Sequence, residues 1–219
     1  MSAADSLPAG TATGRPLVVV DVDEVILRFV EPLERYLEST GHRLAPVAFA
    51  ITGNVLKAGS TRPIPAEAVH DLIEGFYAAR VASQPPVDGA VAALARLSAA
   101  CDIVLLSNLP GRHGEARARR LAELGIAAPL RVNEGPKGPA VAALAAERGA
   151  ERVIFVDDGP IHLASVRDRV PGARLVQFVD DERFFRMAPE VPGVWLKTRS
   201  WDEVAARIEA EARAFAPSG

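Results

Sequence analysis

Cysteine is almost absent from this chain. Cys101 is the only one in 219 residues, so no intrachain disulfide can form, and its place beside a predicted buried strand makes it a small core residue. No run approaches the ~18 apolar residues that a membrane span needs, which leaves a membrane out of the expected partners. There is no basic tract, and the net charge is −3, so nucleic acid is not an expected partner either. No internal repeat is found. The only low-complexity stretch is residues 1–15, rich in Ala, Ser, Thr and Gly; it is too polar for a secretory h-region and reads as a flexible tail. A reducing, cytoplasmic setting is the expectation, with the protein a monomer or a homodimer.

What is present is ordinary for a globular protein, with 49% apolar and 24% charged residues. The length suits one α/β domain with an insertion. The informative stretch is Leu17-Val18-Val19-Val20-Asp21-Val22-Asp23-Glu24-Val25. Four consecutive apolar residues, three of them β-branched, predict a strand buried on both faces, as in parallel sheets flanked by helices. Two carboxylates stand where that strand ends, and ligands of open α/β sheets bind at the carboxyl ends of strands.

Helical spacing follows in Val30, Leu33, Tyr36 and Leu37, and again over Ala66 to Arg80 after Pro63-Ile64-Pro65. The stretch from Ala45 to Lys57 is apolar but irregular, with no convincing strand. Residues 28–84 therefore read as a small α-helical cap, closed by Pro85-Pro86. From Asp88 the pattern alternates strictly, with helices at 89–99, 115–124, 139–148, 161–167 and 201–215, and strands at 102–106, 130–132, 152–156, 175–179 and 194–196. Such alternation means right-handed βαβ units and a parallel sheet. The expected fold is a Rossmann-like three-layer α/β/α core made of residues 16–27 and 85–219, with the cap inserted after the first strand.

Three of the strands end in polar residues: Asp21 with Asp23, Ser107 with Asn108, and Asp157 with Asp158. Lys137 lies in the loop Gly135-Pro136-Lys137-Gly138-Pro139. Each has a plain structural alternative, since Ser107, Asn108 and the Asp157-Asp158-Gly159-Pro160 run all suit helix starts and Lys137 suits a solvated loop. Together they form a cluster of four carboxylates and one lysine at one end of a sheet. Unit charges ~4 Å apart interact by about 4 kcal/mol at an effective dielectric near 20, so such a cluster calls for a compensating cation. Carboxylate oxygens favour hard cations, and Mg²⁺ in particular combines a few carboxylates with substrate phosphate.

In this order and at these strand ends, Asp21-Val-Asp23-Glu-Val25, Ser107, Lys137 and Asp157-Asp158 resemble motifs I to IV of the haloacid dehalogenase superfamily of phosphatases and phosphotransferases. The resemblance spans Leu17 to about Asp181, with residues 28–84 at the type 1 cap position. It implies that Asp21 is the nucleophile that forms an aspartyl-phosphate, and that Asp23 is the acid and base whose main-chain carbonyl also binds metal. Ser107 and the Asn108 N–H would hold phosphoryl oxygens, Lys137 would neutralise charge on Asp21 and phosphate, and Asp158 would bind Mg²⁺ with Asp157 beside it. The implied activity is Mg²⁺-dependent hydrolysis of a small phosphorylated metabolite. The rivals are a phosphotransferase such as a sugar phosphomutase, and a non-catalytic binding protein on the same fold. Dehalogenation would not need Asp23 or the Asp157-Asp158 pair, and a signalling receiver domain would place its acidic pair and lysine in another order.

Three positions depart from the superfamily pattern. Glu24 stands where many members have Gly, Val25 where many have Thr, and His162 where one version of motif IV has another acid; His162 reads as an ordinary helix residue. Polar cap residues that could meet substrate are Arg28, His42, Arg43, Asn54, Lys57, Arg62, His70, Tyr77 and Arg80. Arg28 is favoured because it follows the first-strand loop, and Asn54 because it interrupts an apolar run.

Overall fold

The computed structural model describes residues 14–214. The first strand, β1 (Leu17–Val20), is wholly buried. Val18 and Val20 pack into one hydrophobic cluster and Leu17 and Val19 into another, so both faces of the strand are covered, as its unbroken apolar run requires.

After β1 come α1 (Val30–Ser39), β2 (His42–Leu44), β3 (Val55–Lys57) and α2 (Ala66–Arg80). The core continues with α3 (Ala90–Leu97), β4 (Asp102–Ser107), α4 (Gly114–Glu123), β5 (Leu130–Val132), α5 (Gly138–Arg148), β6 (Val153–Asp157) and α6 (Pro160–Arg169). It closes with β7 (Arg174–Phe178), α7 (Glu182–Met187), β8 (Val194–Thr198) and α8 (Trp201–Ala214). Six strands form one parallel sheet in the order β5-β4-β1-β6-β7-β8. From β1 the chain steps outward to β4 and β5 and then returns to β6 on the opposite side. The reversal leaves a crevice at the carboxyl end of β1, the usual ligand position in such sheets. No helix among the described residues is long and apolar enough to cross a membrane.

Two features differ from the sequence expectation. The cap is not wholly helical: β2 and β3 pair antiparallel, Leu44 opposite Val55 and His42 opposite Lys57. Three residues per strand are too few to establish a period of two, so the pairing shows only in three dimensions. The helix α7 was not expected. It is six residues long, and its first turn is held by Asp181, which accepts from the N–H groups of Arg183 and Phe184.

Val30, Leu33, Leu37, Val69 and Phe76 of residues 28–84 share one hydrophobic cluster with Leu109, Val179 and Phe184, which come from later in the chain. Polar contacts add to this seam. Glu74 of α2 meets His113 at 2.6 Å and also pairs with Arg112, while Glu34 of α1 accepts from Arg183 at 3.0 and 2.9 Å.

Candidate active site

Register brings the motif residues together. Val20 lies level with Leu105 of β4 and Val156 of β6, so Asp21, Ser107 and Asp157 emerge at the same end of three adjacent strands. Lys137 reaches in from the start of α5. Its Nζ lies 2.5 Å from Asp21 Oδ1 and 2.7 Å from Asp157 Oδ2, and the side chain is 1% exposed. The lysine gets there because α5 begins hard against α6. A Cβ on Gly138 would stand 2.3 Å from the Ser165 carbonyl oxygen, so only glycine allows this approach.

Asp21, Asp157 and Asp158 bring carboxylate oxygens within 4.8 Å of one another. Burial pushes the Asp21 carboxyl up to about 7; Lys137 opposes this, and Asp157 and Asp23 add to it. Burial, then Asp157 and Asp21, raise Asp158 as well. One lysine therefore does not balance the group. Hard oxygen donors with excess negative charge fit a divalent cation such as Mg²⁺, which restores the ionised forms.

Asp23 is held separately. It accepts from Arg117 Nη2 at 2.8 Å, Gln84 Nε2 at 3.0 Å, Tyr77 Oη at 3.3 Å and Ser107 Oγ at 3.4 Å. Arg117 is fully buried and also donates to Gln84 Oε1 at 2.8 Å. Of these holders only Ser107 and Tyr77 were legible as site candidates. Gln84 stands just before Pro85-Pro86, where the sequence suggests only the close of the expected cap, and Arg117 looks like the neighbouring Arg119 and Arg120 of α4.

Other expected residues lie apart from this cluster. Arg28 donates to Asp180 at 3.1 Å and pairs with Asp88 at 2.9 Å, ion pairs that occupy its guanidinium. Asn54 is 2% exposed; its amide accepts from Val47 N–H and donates to the Ala48 and Ala50 carbonyls. That amide braces the loop between β2 and β3 and accounts for the polar interruption in an apolar run. The Asn108 side chain donates to the Gly135 carbonyl at 2.8 Å and accepts from Asn133 at 2.9 Å, which fixes the loop carrying Lys137. His162 lies on α6, where burial lowers its pKa.

Glu24 is the one non-glycine residue with positive φ among the described residues, at 64°. Glycine suits that conformation, and here its cost is met by the side chain. One carboxylate oxygen accepts from Phe29 and Val30 N–H at 3.0 and 2.9 Å, and the other from Asp181 N–H at 2.7 Å. The carboxylate thus caps α1 and ties the end of β7 to the β1 loop. Burial raises its pKa to about 7 against these three donors. Glu24→Gln puts an NH₂ against at least one of the three N–H groups, and a loss of about 1–3 kcal/mol is expected in chemical denaturation. An unchanged unfolding midpoint would show that the three bonds contribute nothing.

No protein-family model matches the sequence, and no curated protein matches it. Solved structures do match in three dimensions. A conserved haloacid dehalogenase-like protein of unknown function from Agrobacterium tumefaciens has a TM-score of 0.61 at 19% identity, covering 90% of this chain and 99% of its own. A HAD family hydrolase from Deinococcus radiodurans, solved with bound phosphate and sodium, gives 0.60 at 17%, with 92% and 98% covered. A haloacid dehalogenase-like hydrolase from Streptococcus pneumoniae gives 0.62 at 11%, with 89% and 99% covered. With these matches across nine-tenths of its length, the chain has the haloacid dehalogenase-like fold.

Proposed function

We propose that this protein is a Mg²⁺-dependent phosphohydrolase acting on a small phosphorylated molecule through an aspartyl-phosphate. The observation that carries the reading is the placement of Asp21, held by Lys137, within a cluster of carboxylates that needs a cation, with a second aspartate two residues on. Asp21 attacks phosphorus, its oxygen bonding as the bond to the leaving oxygen breaks; an ionised carboxylate needs no base for this. Asp23, kept in place by Arg117, Gln84 and Tyr77, gives the leaving oxygen a proton. It then takes a proton from the water that attacks the phosphorus, and Asp21 is released with its carboxylate restored. Lys137 neutralises charge on Asp21 and on the phosphoryl group, and Ser107 with the Asn108 N–H holds phosphoryl oxygens. Asp21 and Asp158, with Asp157 alongside and the main-chain carbonyl of Asp23, would hold Mg²⁺, which would supply charge neutralisation for the phosphoryl oxygens.

The test is phosphate release from para-nitrophenyl phosphate. Release is expected with Mg²⁺, is lost with EDTA and returns when excess Mg²⁺ is added. If no aryl, sugar or nucleotide phosphate is turned over with Mg²⁺ present, the fold is serving a binding role and the reading fails.

A further inference from the structure

A cavity of about 100 Å³ adjoins the carboxylate cluster. Asp158 forms part of its wall and shares the cluster with Asp21. Nearly all the rest is hydrocarbon: Phe29 at the start of α1, Phe49, Ala50 and Ile51 from the β2–β3 loop, Val179 after β7, and Phe184 of α7. Phe49 and Phe184 meet edge to face, with centroids 5.9 Å apart. The one other polar lining residue, Glu24, already receives three backbone N–H groups. Asn54, a nearby polar side chain, commits its amide to its own loop. A polyhydroxylated group placed here would give up hydrogen bonds to water without replacing them.

We propose that this cavity is the leaving-group subsite and that the substrate is the phosphate monoester of a short aliphatic alcohol rather than a sugar phosphate. The proposal rests on the phosphohydrolase reading above. Its size follows by scaling: a dry cavity of about 150 Å³ holds the six carbons of benzene, so this one accommodates about four.

A homologous series of methyl, ethyl, propyl, butyl and hexyl phosphates tests it, because every member has an alkoxide leaving group and only the buried hydrocarbon changes. Each buried methylene is expected to raise kcat/KM about fourfold, with the rise ending near the fourth carbon. Glycerol phosphate is expected to do no better than methyl phosphate. Filling the cavity by Ala50→Phe, at an exposed position whose loop bonds use only the backbone, flattens the series. Binding of the matching alkylphosphonates, measured by calorimetry with Mg²⁺, follows the same trend in Kd without turnover. A flat series in an active enzyme, a rise that survives Ala50→Phe, or glycerol or sugar phosphates outpacing butyl phosphate overturns the subsite and leaves the phosphohydrolase standing. If neither the series nor para-nitrophenyl phosphate is hydrolysed, both fall together.

Discussion

Asp21→Asn is expected to lower phosphate release by about 10⁴-fold or more while the protein stays folded. The amide matches the carboxylate in shape but cannot form the acyl-phosphate, so the loss falls on the chemical step rather than on binding. The fold tolerates the change for an electrostatic reason. Burial pushes the Asp21 carboxyl up to about 7, which marks its charge as unfavourable there without a cation, and Lys137 keeps its second partner, Asp157, at 2.7 Å. Phosphate release and thermal unfolding measured side by side separate these effects. Activity within tenfold of the parent sinks the nucleophile assignment, and a collapsed melting transition shows the carboxylate to be structural instead.

Arg117→Met is the second large effect, and it combines stability with activity. Methionine keeps most of the side-chain volume, so the change chiefly removes a charge. Whenever Asp23 is ionised it then lacks its closest donor and its countercharge; breaking a buried pair from one side costs about 3–5 kcal/mol. Gln84 and Tyr77 still reach Asp23, and the arginine carries two buried nitrogens without a partner, Nε and Nη1, so the expected loss is near the lower end, about 3 kcal/mol. Urea denaturation measures it. Pairing the change with Asp23→Asn removes the stranded charge and is expected to recover part of the loss, which makes the two effects non-additive. A loss below about 0.5 kcal/mol in the single variant shows that the ion pair contributes little. In kinetics, kcat is expected to fall more than KM rises, since in the proposed reaction Asp23 acts on the reacting oxygen rather than on ground-state binding.

Much of the architecture was legible because its signals are local. The four-residue apolar run of β1 declares burial on both faces, and the helix–strand alternation after Asp88 places each later strand of the sheet to within a residue or two. Asp21, Ser107, Lys137 and the Asp157-Asp158 pair were legible as candidates for the same reason: each stands where a strand ends or a helix begins. Arg117 and Gln84 have no such mark. A buried arginine on α4 differs from its solvated neighbours only in what the folded chain places around it. Glu24 was visible as a departure from the superfamily pattern, but its purpose depends on a positive φ and on the N–H of Asp181, far along the chain. Asn54 shows the converse. Its position in an apolar run suggested a ligand contact, whereas the same polarity closes the hydrogen bonds of its own loop.

The central place of β1 also bears on how the chain reaches this state. This strand, made before either of its neighbours, pairs on one side with residues 102–105 and on the other with residues 153–156. Until both partners have been synthesised, an apolar strand with two open edges has nothing of its own to pair with, the condition that invites association with other chains. Long sequence separation between paired strands also slows folding. Asp21, the proposed nucleophile, stands at the tip of that strand, so the candidate site is complete only after residues 153–156 have been made and the sheet has closed around β1.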